Sequence, residues 1–323
     1  MKAIQFYEYG DADVLRMENL PVPEPAEGEV LIRVKAIGVN FSDTERRRNA
    51  YPYPSPLPFI PGFEVAGIIE RLGEGVQRFC AGERVIAFMQ SGGYAEYVAV
   101  PHNLVMVLPE GVDFEVGAML PVQGLTAFYL LKTACLKPKE TVLIPGAAGG
   151  VGTLALQLAK ILCSAHVVAT AGSPEKLELA HSLGADSLVN YHDTDWQEQV
   201  MQATQGKGAD VILEMIGGEV FQKSLACLAT QGRLIVYSRM SSEQTVFDPI
   251  ALILKNQTVI GFNITGFLEN SLEYVEPLHT LFEYVKQGQL KVHIGGVYPL
   301  EQAAKVHRLI ESRSTKGKLI LQP

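Results

Sequence analysis

At 323 residues, 47% of them hydrophobic, the chain exceeds what one core usually organises and is too apolar to be disordered. Lys and Arg number 27 against 35 Asp and Glu, and this net charge of −8 argues against a nucleic-acid binder, which needs excess basic charge. The cysteines Cys80, Cys135, Cys163 and Cys227 contain no C-x-x-C pair, so no disulfide framework or zinc knuckle is expected and a reducing, cytoplasmic setting fits.

The opening, MKAIQFYEYG, lacks the apolar core of a signal peptide. The first third then reads as β-rich, with short Val- and Ile-rich segments at Lys2–Phe6, Glu29–Gly38 and Val65–Leu72. Pro21, Pro23, Pro25 and Gly28, and later the run from Pro52 to Pro61, break them up, which predicts a barrel-like β domain with long loops. Spacing turns helical between Asp113 and Leu136.

From Glu140 strands and helices alternate. Thr141–Pro145 predicts a strand, and the helix after it sets Val151, Leu154, Ala155, Leu158 and Leu162 on one face. His166–Thr170 follows as a strand, then a helix from Pro174 to Leu183, with proline in its first turn. Further strands are expected at Ser187–Asn190, Val211–Glu214, Arg233–Tyr237 and Thr258–Phe262. Six strands alternating with helices specify a doubly wound (Rossmann) parallel sheet. Beyond Ser271 come a long helix, a short strand near Val297, a helix over Leu300–Glu311 and a final strand, Gly317–Leu321. Thr141–Ala159 carries no charge and has the length of a membrane span, but Pro145 and its glycines fit a buried strand, turn and helix, and no membrane role is expected.

The central motif is Gly146-Ala147-Ala148-Gly149-Gly150-Val151-Gly152, between a strand and a helix. Gly149 and Gly150 let the backbone approach a pyrophosphate, and the helix N-terminus beyond offers N–H groups and a positive dipole end. Ala148 and Val151 belong to the same cradle, and Gly152 lets the helix pack closely. The strict G-x-G-x-x-G pattern is broken at Ala147. An NAD enzyme carries an acid at the end of its second strand, to accept from the ribose hydroxyls. That stretch here is Thr170-Ala171-Gly172-Ser173-Pro174-Glu175-Lys176, where Ser173 and Lys176 instead suit a 2′-phosphate. The expected cofactor is NADP(H).

These segments, with Ala36-Ile37-Gly38-Val39-Asn40-Phe41-Ser42-Asp43, Pro61-Gly62-Phe63-Glu64-Val65-Ala66-Gly67, Gly124-Leu125-Thr126, Leu183-Gly184-Ala185-Asp186, Asn190-Tyr191 and Glu311-Ser312-Arg313, resemble the medium-chain dehydrogenase/reductase superfamily and within it the quinone oxidoreductase family. The resemblance implies a GroES-like catalytic domain over residues 1–121 and 264–323 and a Rossmann dinucleotide-binding domain over 122–263. It implies that Asn40 lies near the nicotinamide, that Thr126 lies along the cofactor, and that Lys176, Tyr191 and Arg313 hold the 2′-phosphate. It also implies a homodimer joined at the last strand of the nucleotide sheet, for which Asn256–Thr265 offers a Val/Ile-bearing edge.

The zinc members of the superfamily hold their metal with a Cys and a His at the places occupied here by Asn40 and Phe63, so no metal is expected. Glu45 and Asn49 stand where the family often has Tyr and Gly. The loop Glu45-Arg46-Arg47-Arg48-Asn49-Ala50-Tyr51 is then either a solvated face or one that attracts an anionic substrate. Without a Lewis acid, hydride transfer to a quinone or enone is favoured over alcohol oxidation. Asn40, Tyr51 and Asp43 are the candidate catalytic residues, Asn40 and Tyr51 as donors to the developing oxygen and Asp43 as a residue that fixes the loop. Two alternatives stay open: a 2-alkenal or enoyl thioester reductase, and an NADPH-binding protein with a structural, regulatory or RNA-binding role.

Overall fold

The computed structural model describes residues 1–241, 243–268 and 271–323, and the chain divides into two compact units. The first comprises Met1–Val122, Ser271–Lys286 and Val292–Pro323; the second comprises Gln123–Asn270 and Gln287–Lys291. The return to the first unit therefore falls at 271, not 264, and residues 287–291 stay with the second. The Gln157 side chain explains the latter, because its amide donates to the Lys291 carbonyl at 2.9 Å and accepts from the Lys291 N–H at 2.8 Å.

The first unit contains β1 (Lys2–Gln5), β2 (Arg16–Asn19), β3 (Glu29–Val39), β4 (Glu64–Leu72), β5 (Arg84–Phe88), β6 (Tyr97–Pro101) and β7 (Val105–Val107). The second contains β8 (Thr141–Pro145), β9 (His166–Ala171), β10 (Ser187–Asn190), β11 (Ala209–Glu214), β12 (Leu228–Val236) and β13 (Thr258–Gly261). Strands β14 (Ile294–Pro299) and β15 (Lys318–Gln322) return to the first unit.

β3 is the spine of the first unit. Its sheet runs β14-β15-β3-β4-β5-β7, with β6 also paired to β3. Alternation along these strands buries Val30, Ile32, Val34, Ile37, Val65, Val85 and Val100 in one core. The registers matter for the site. Leu319 lies opposite Val39 and Val65 opposite Ile37, so the first residue of β15 and the first of β4 meet at the end of β3, where the helix Phe41–Arg47 begins.

In the second unit all sheet neighbours are parallel, in the order β10-β9-β8-β11-β12-β13. The order reverses between β8 and β11, a switch point whose strand ends open a crevice. The helix Gly150–Cys163 buries Leu154, Ala155, Leu158 and Ala159. Leu162, expected on that face, is 40% exposed, and Val151 is only half-buried. The packed stripe ends a turn before the helix stops at left-handed Ser164 and the chain turns back into β9. One helical run, Phe114–Thr133, is long and apolar enough to cross a membrane by length and composition, and 67% of its window is buried inside the protein.

Candidate active site

The meeting of β3, β4 and β15 places three polar side chains in the core of the first unit. Lys318 and Glu64 are both 0% exposed, and their ion pair spans 2.5 Å. The Lys318 ammonium also donates to Asn40 Oδ1 at 2.8 Å. Asn40 Nδ2 donates to Glu64 Oε1 at 3.0 Å and to the Gly38 carbonyl at 3.3 Å. Glu64 Oε2 accepts from the Val122 N–H. Gly38 makes the room: a Cβ there would sit 2.7 Å from Glu64 Cγ and 2.1 Å from the Ala118 carbonyl oxygen. Burial pushes the Glu64 carboxyl up and the Lys318 ammonium down, and each partner pulls the other back toward its charged form. The amide of Asn40 is thereby fixed, with its oxygen on a cation and its nitrogen on an anion.

Asp43 is also fully buried. It accepts from the backbone N–H of Asn40 at 2.9 Å, from that of Gly62 at 3.0 Å, and from the Tyr94 hydroxyl at 3.3 Å. Tyr94 in turn lies 3.1 Å from Nε2 of buried His307, which desolvation and the charges of Arg47 and Arg48 push down to about 3. Asp43 thus ties the start of the Phe41–Arg47 helix to the loop before β4.

Desolvation raises the Asp43 carboxyl from 3.8 to about 6, against the pull of the Asn40 and Gly62 N–H groups and Lys318. A folded pKa above the unfolded one gives stability that is full below pH 3.8 and lost as pH rises to about 6. The stability difference between the wild type and Asp43→Asn should therefore shift against the wild type by roughly 2 kcal/mol from pH 4.5 to pH 7. Paired urea titrations at the two pH values check this, and a pH-independent difference refutes it.

The arginine-rich segment differs from both expectations. Residues 41–47 are helical, and Arg46 and Arg47 are buried rather than solvated. The Arg46 guanidinium, on a residue 3% exposed, stands 4.6 Å from the Tyr51 ring centroid, 4.8 Å from Phe63 and 5.4 Å from Phe59. It donates to the Pro54 carbonyl, Ser55 Oγ and Gln90 Oε1. Arg47 pairs with Glu311, and Arg48 lies 3.2 Å from the same carboxylate. All three cations are committed to the protein's own groups, so the anionic-substrate reading of this segment is not supported. Asn49 holds the turn at φ 55°, a conformation asparagine tolerates well.

In the second unit the glycine turn follows β8 at the switch point. Gly146 takes φ 70°, the Ala147 N–H donates to the Thr170 carbonyl at 3.1 Å, and Gly149 forms the N-cap of the helix Gly150–Cys163. A Cβ on Gly152 would stand 2.5 Å from the Gly146 oxygen and 2.8 Å from Ala147 Cα, so this glycine packs the helix against the turn itself. Ala148, Gly149, Gly150 and Val151 therefore present backbone at the opening of a 14-residue helix. Thr126, on the helix Leu125–Thr133, is buried. Ser173 is the N-cap of the helix Pro174–Ser182, yet its side chain makes no capping bond. Lys176 and Tyr191 are half-buried in the same unit. Arg313 belongs to the first unit and follows the helix Ala303–Glu311 at φ 55°.

Sequence reasoning missed Lys318, Tyr94, His307 and Glu214. Glu214 ends β11, fully buried, and accepts the Ile216 and Gly217 N–H groups at 2.7 and 2.9 Å, fixing the loop beside the switch point. A charged residue bordering an apolar run was the available signal, Glu214 closing β11 after Val211-Ile212-Leu213 and Lys318 opening β15 before Leu319-Ile320-Leu321.

A family model described as an alcohol dehydrogenase GroES-like domain matches residues 26–110, and one described as a zinc-binding dehydrogenase matches 150–280. The chain is 35% identical over 326 residues to human quinone oxidoreductase, covering 99% of this chain and 97% of that one. It is 35% identical over 326 residues to quinone oxidoreductase 1 of Escherichia coli, covering 99% of each. The crystal structure of the Escherichia coli quinone oxidoreductase complexed with NADPH superposes with a TM-score of 0.95, at 34% identity over the full length of both chains. The residues here do not fit the zinc that the second model's description names. The Asn40 amide is spent on Glu64, Gly38 and Lys318, the Phe63 ring lies against Tyr51 and Arg46, and a buried ammonium repels a dication. The chain belongs to the medium-chain dehydrogenase/reductase superfamily, in its quinone oxidoreductase family.

Proposed function

We infer that the chain is an NADPH-dependent quinone reductase that transfers hydride without zinc. The observation that carries the reading is the Asn40–Glu64–Lys318 cluster, which puts a buried ammonium where a zinc enzyme needs metal ligands. An enzyme with no Lewis acid there is suited to acceptors that delocalise the incoming negative charge themselves. The full-length likeness to quinone oxidoreductases, including one crystallised with NADPH, supports the same conclusion.

Bound NADPH supplies the hydride, and the chain's own residues bind, orient and exclude water. The turn at Ala148, Gly149, Gly150 and Val151 fits a pyrophosphate, with Thr126 along the cofactor. Ser173, Lys176, Tyr191 and Arg313 are assigned to the 2′-phosphate, and Asn40 to the neighbourhood of the nicotinamide. Both Asn40 amide hydrogens are held by Glu64 and Gly38, and donation to the acceptor's oxygen is assigned to Tyr51 and water. Asp43 acts by holding the loop. Residues 1–122, 271–286 and 292–323 form the catalytic domain, and 123–270 with 287–291 the dinucleotide domain. Initial rates of NADPH oxidation by chelator-treated enzyme with an ortho-quinone and a 2-alkenal test the acceptor. Faster quinone turnover supports the reading, and faster alkenal turnover moves the function to enone reduction.

Arg313 offers a test of the cofactor assignment. A non-glycine residue at φ 55° carries a strain of about 1 kcal/mol. Arg313→Gly is expected to stabilise the fold slightly while weakening NADPH but not NADH, as read by thermal melts and cofactor titration. Equal loss of both cofactors contradicts the assignment.

We place the enzyme in the cytoplasm as a homodimer. Among the described residues β13 is hydrogen-bonded to β12 alone and ends the sheet, and Ile250, Ile253 and Leu254, the last 88% exposed, crowd beside it in sequence. Sedimentation should give about twice the chain mass of 35.2 kDa, and Ile253→Asp/Leu254→Asp should halve it.

A further inference from the structure

Cofactor choice has a structural basis at the end of β9 that the motif does not reveal. Gly172 stands where an NAD enzyme presents its ribose-binding acid. A Cβ at this position would meet the Tyr191 hydroxyl at 2.7 Å and His192 Nε2 at 2.8 Å. The parallel register delivers both groups: Asn190 lies opposite Ala171, so the residues after β10 arrive beside the residue after β9. The Tyr191 N–H donates to the Ala171 carbonyl, and the His192 N–H donates to Asn190 Oδ1 at 3.0 Å. The two rings then pack edge to face, 4.7 Å apart, which sets both polar tips over the glycine.

We propose that His192 is a specificity-determining residue: the empty side-chain position at 172 is covered by the Tyr191 and His192 rings, and His192 Nε2 binds the 2′-phosphate. The space that an acid would need is occupied, and it is occupied by groups that favour an anion. An imidazole N–H on a phosphate oxygen is charge-assisted, and it reaches the site from the strand opposite Ser173 and Lys176. His192 itself is exposed, so its replacement leaves the core intact. The proposal rests on the 2′-phosphate pocket assigned above.

Calorimetric titration with adenosine 2′,5′-bisphosphate and with 5′-AMP tests it without turnover. His192→Ala is expected to weaken the bisphosphate about tenfold and leave 5′-AMP unchanged, while His192→Arg retains the affinity. Gly172→Ala, whose new methyl group pushes both rings aside, should show the same selective loss. Equal weakening of the two ligands by His192→Ala would reduce the residue to a structural role and overturn the proposal. If Lys176→Ala loses the bisphosphate selectively and His192→Ala does not, His192 is excluded while the pocket stands. If neither variant discriminates, the pocket assignment fails and the proposal with it.

Discussion

Lys318→Met is expected to cost about 3–5 kcal/mol of stability at pH 7, because it strands the fully buried Glu64 carboxylate beside an amide already in use. The penalty arises from an uncompensated charge, so two companions sharpen it. Glu64→Gln/Lys318→Met removes both charges and should recover most of the loss. Lowering the pH should narrow the deficit of the single variant, since burial already raises the Glu64 carboxyl and protonation removes the charge. Activity should fall even where the variant is folded, because Asn40 Oδ1 loses the cation that sets its orientation. Guanidinium titrations of the three proteins give the answer, and a single-variant loss below about 1 kcal/mol contradicts the buried-pair account.

Gly152→Ala is expected to reduce kcat/KM for NADPH by roughly a hundredfold. The added methyl would stand 2.5 Å from the Gly146 oxygen and 2.8 Å from Ala147 Cα, both backbone atoms. Relief requires the turn to move by about 1 Å, which displaces the groups that cradle the pyrophosphate. A stability loss of about 1–3 kcal/mol should accompany it. Gly261→Ala, outside the turn, is the contrast: a Cβ there would meet nothing within 4 Å. Near-equal effects of the two substitutions would mean that the turn's position is not what the glycines protect.

The second unit was the more legible in the sequence, and the reason is physical. Parallel strands buried on both faces read as continuous apolar runs such as Thr141–Pro145, and proline at 174 marks a helix start. The turn from Gly146 to Gly152 is local, so its residues could be named from the chain alone. The Asn40 cluster was not legible as a cluster, because Asn40 and Lys318 are 278 residues apart and meet only through the β15–β3 register. The arginines at 46 and 47 misled for a related reason. A run of three cations predicts solvent exposure, whereas tertiary packing gave one an aromatic enclosure and buried another against the Glu311 carboxylate. Leu162 shows the limit of periodicity, which fixes a helical face but not how far a neighbouring sheet covers it.

The most direct test of zinc-free NADPH-dependent quinone reduction is the rate of ortho-quinone reduction with NADPH and with NADH, before and after exhaustive chelation. NADPH should be preferred by at least about tenfold, and the rate should not change on chelation. A preference for NADH, or activity that falls on chelation and returns with zinc, would contradict it.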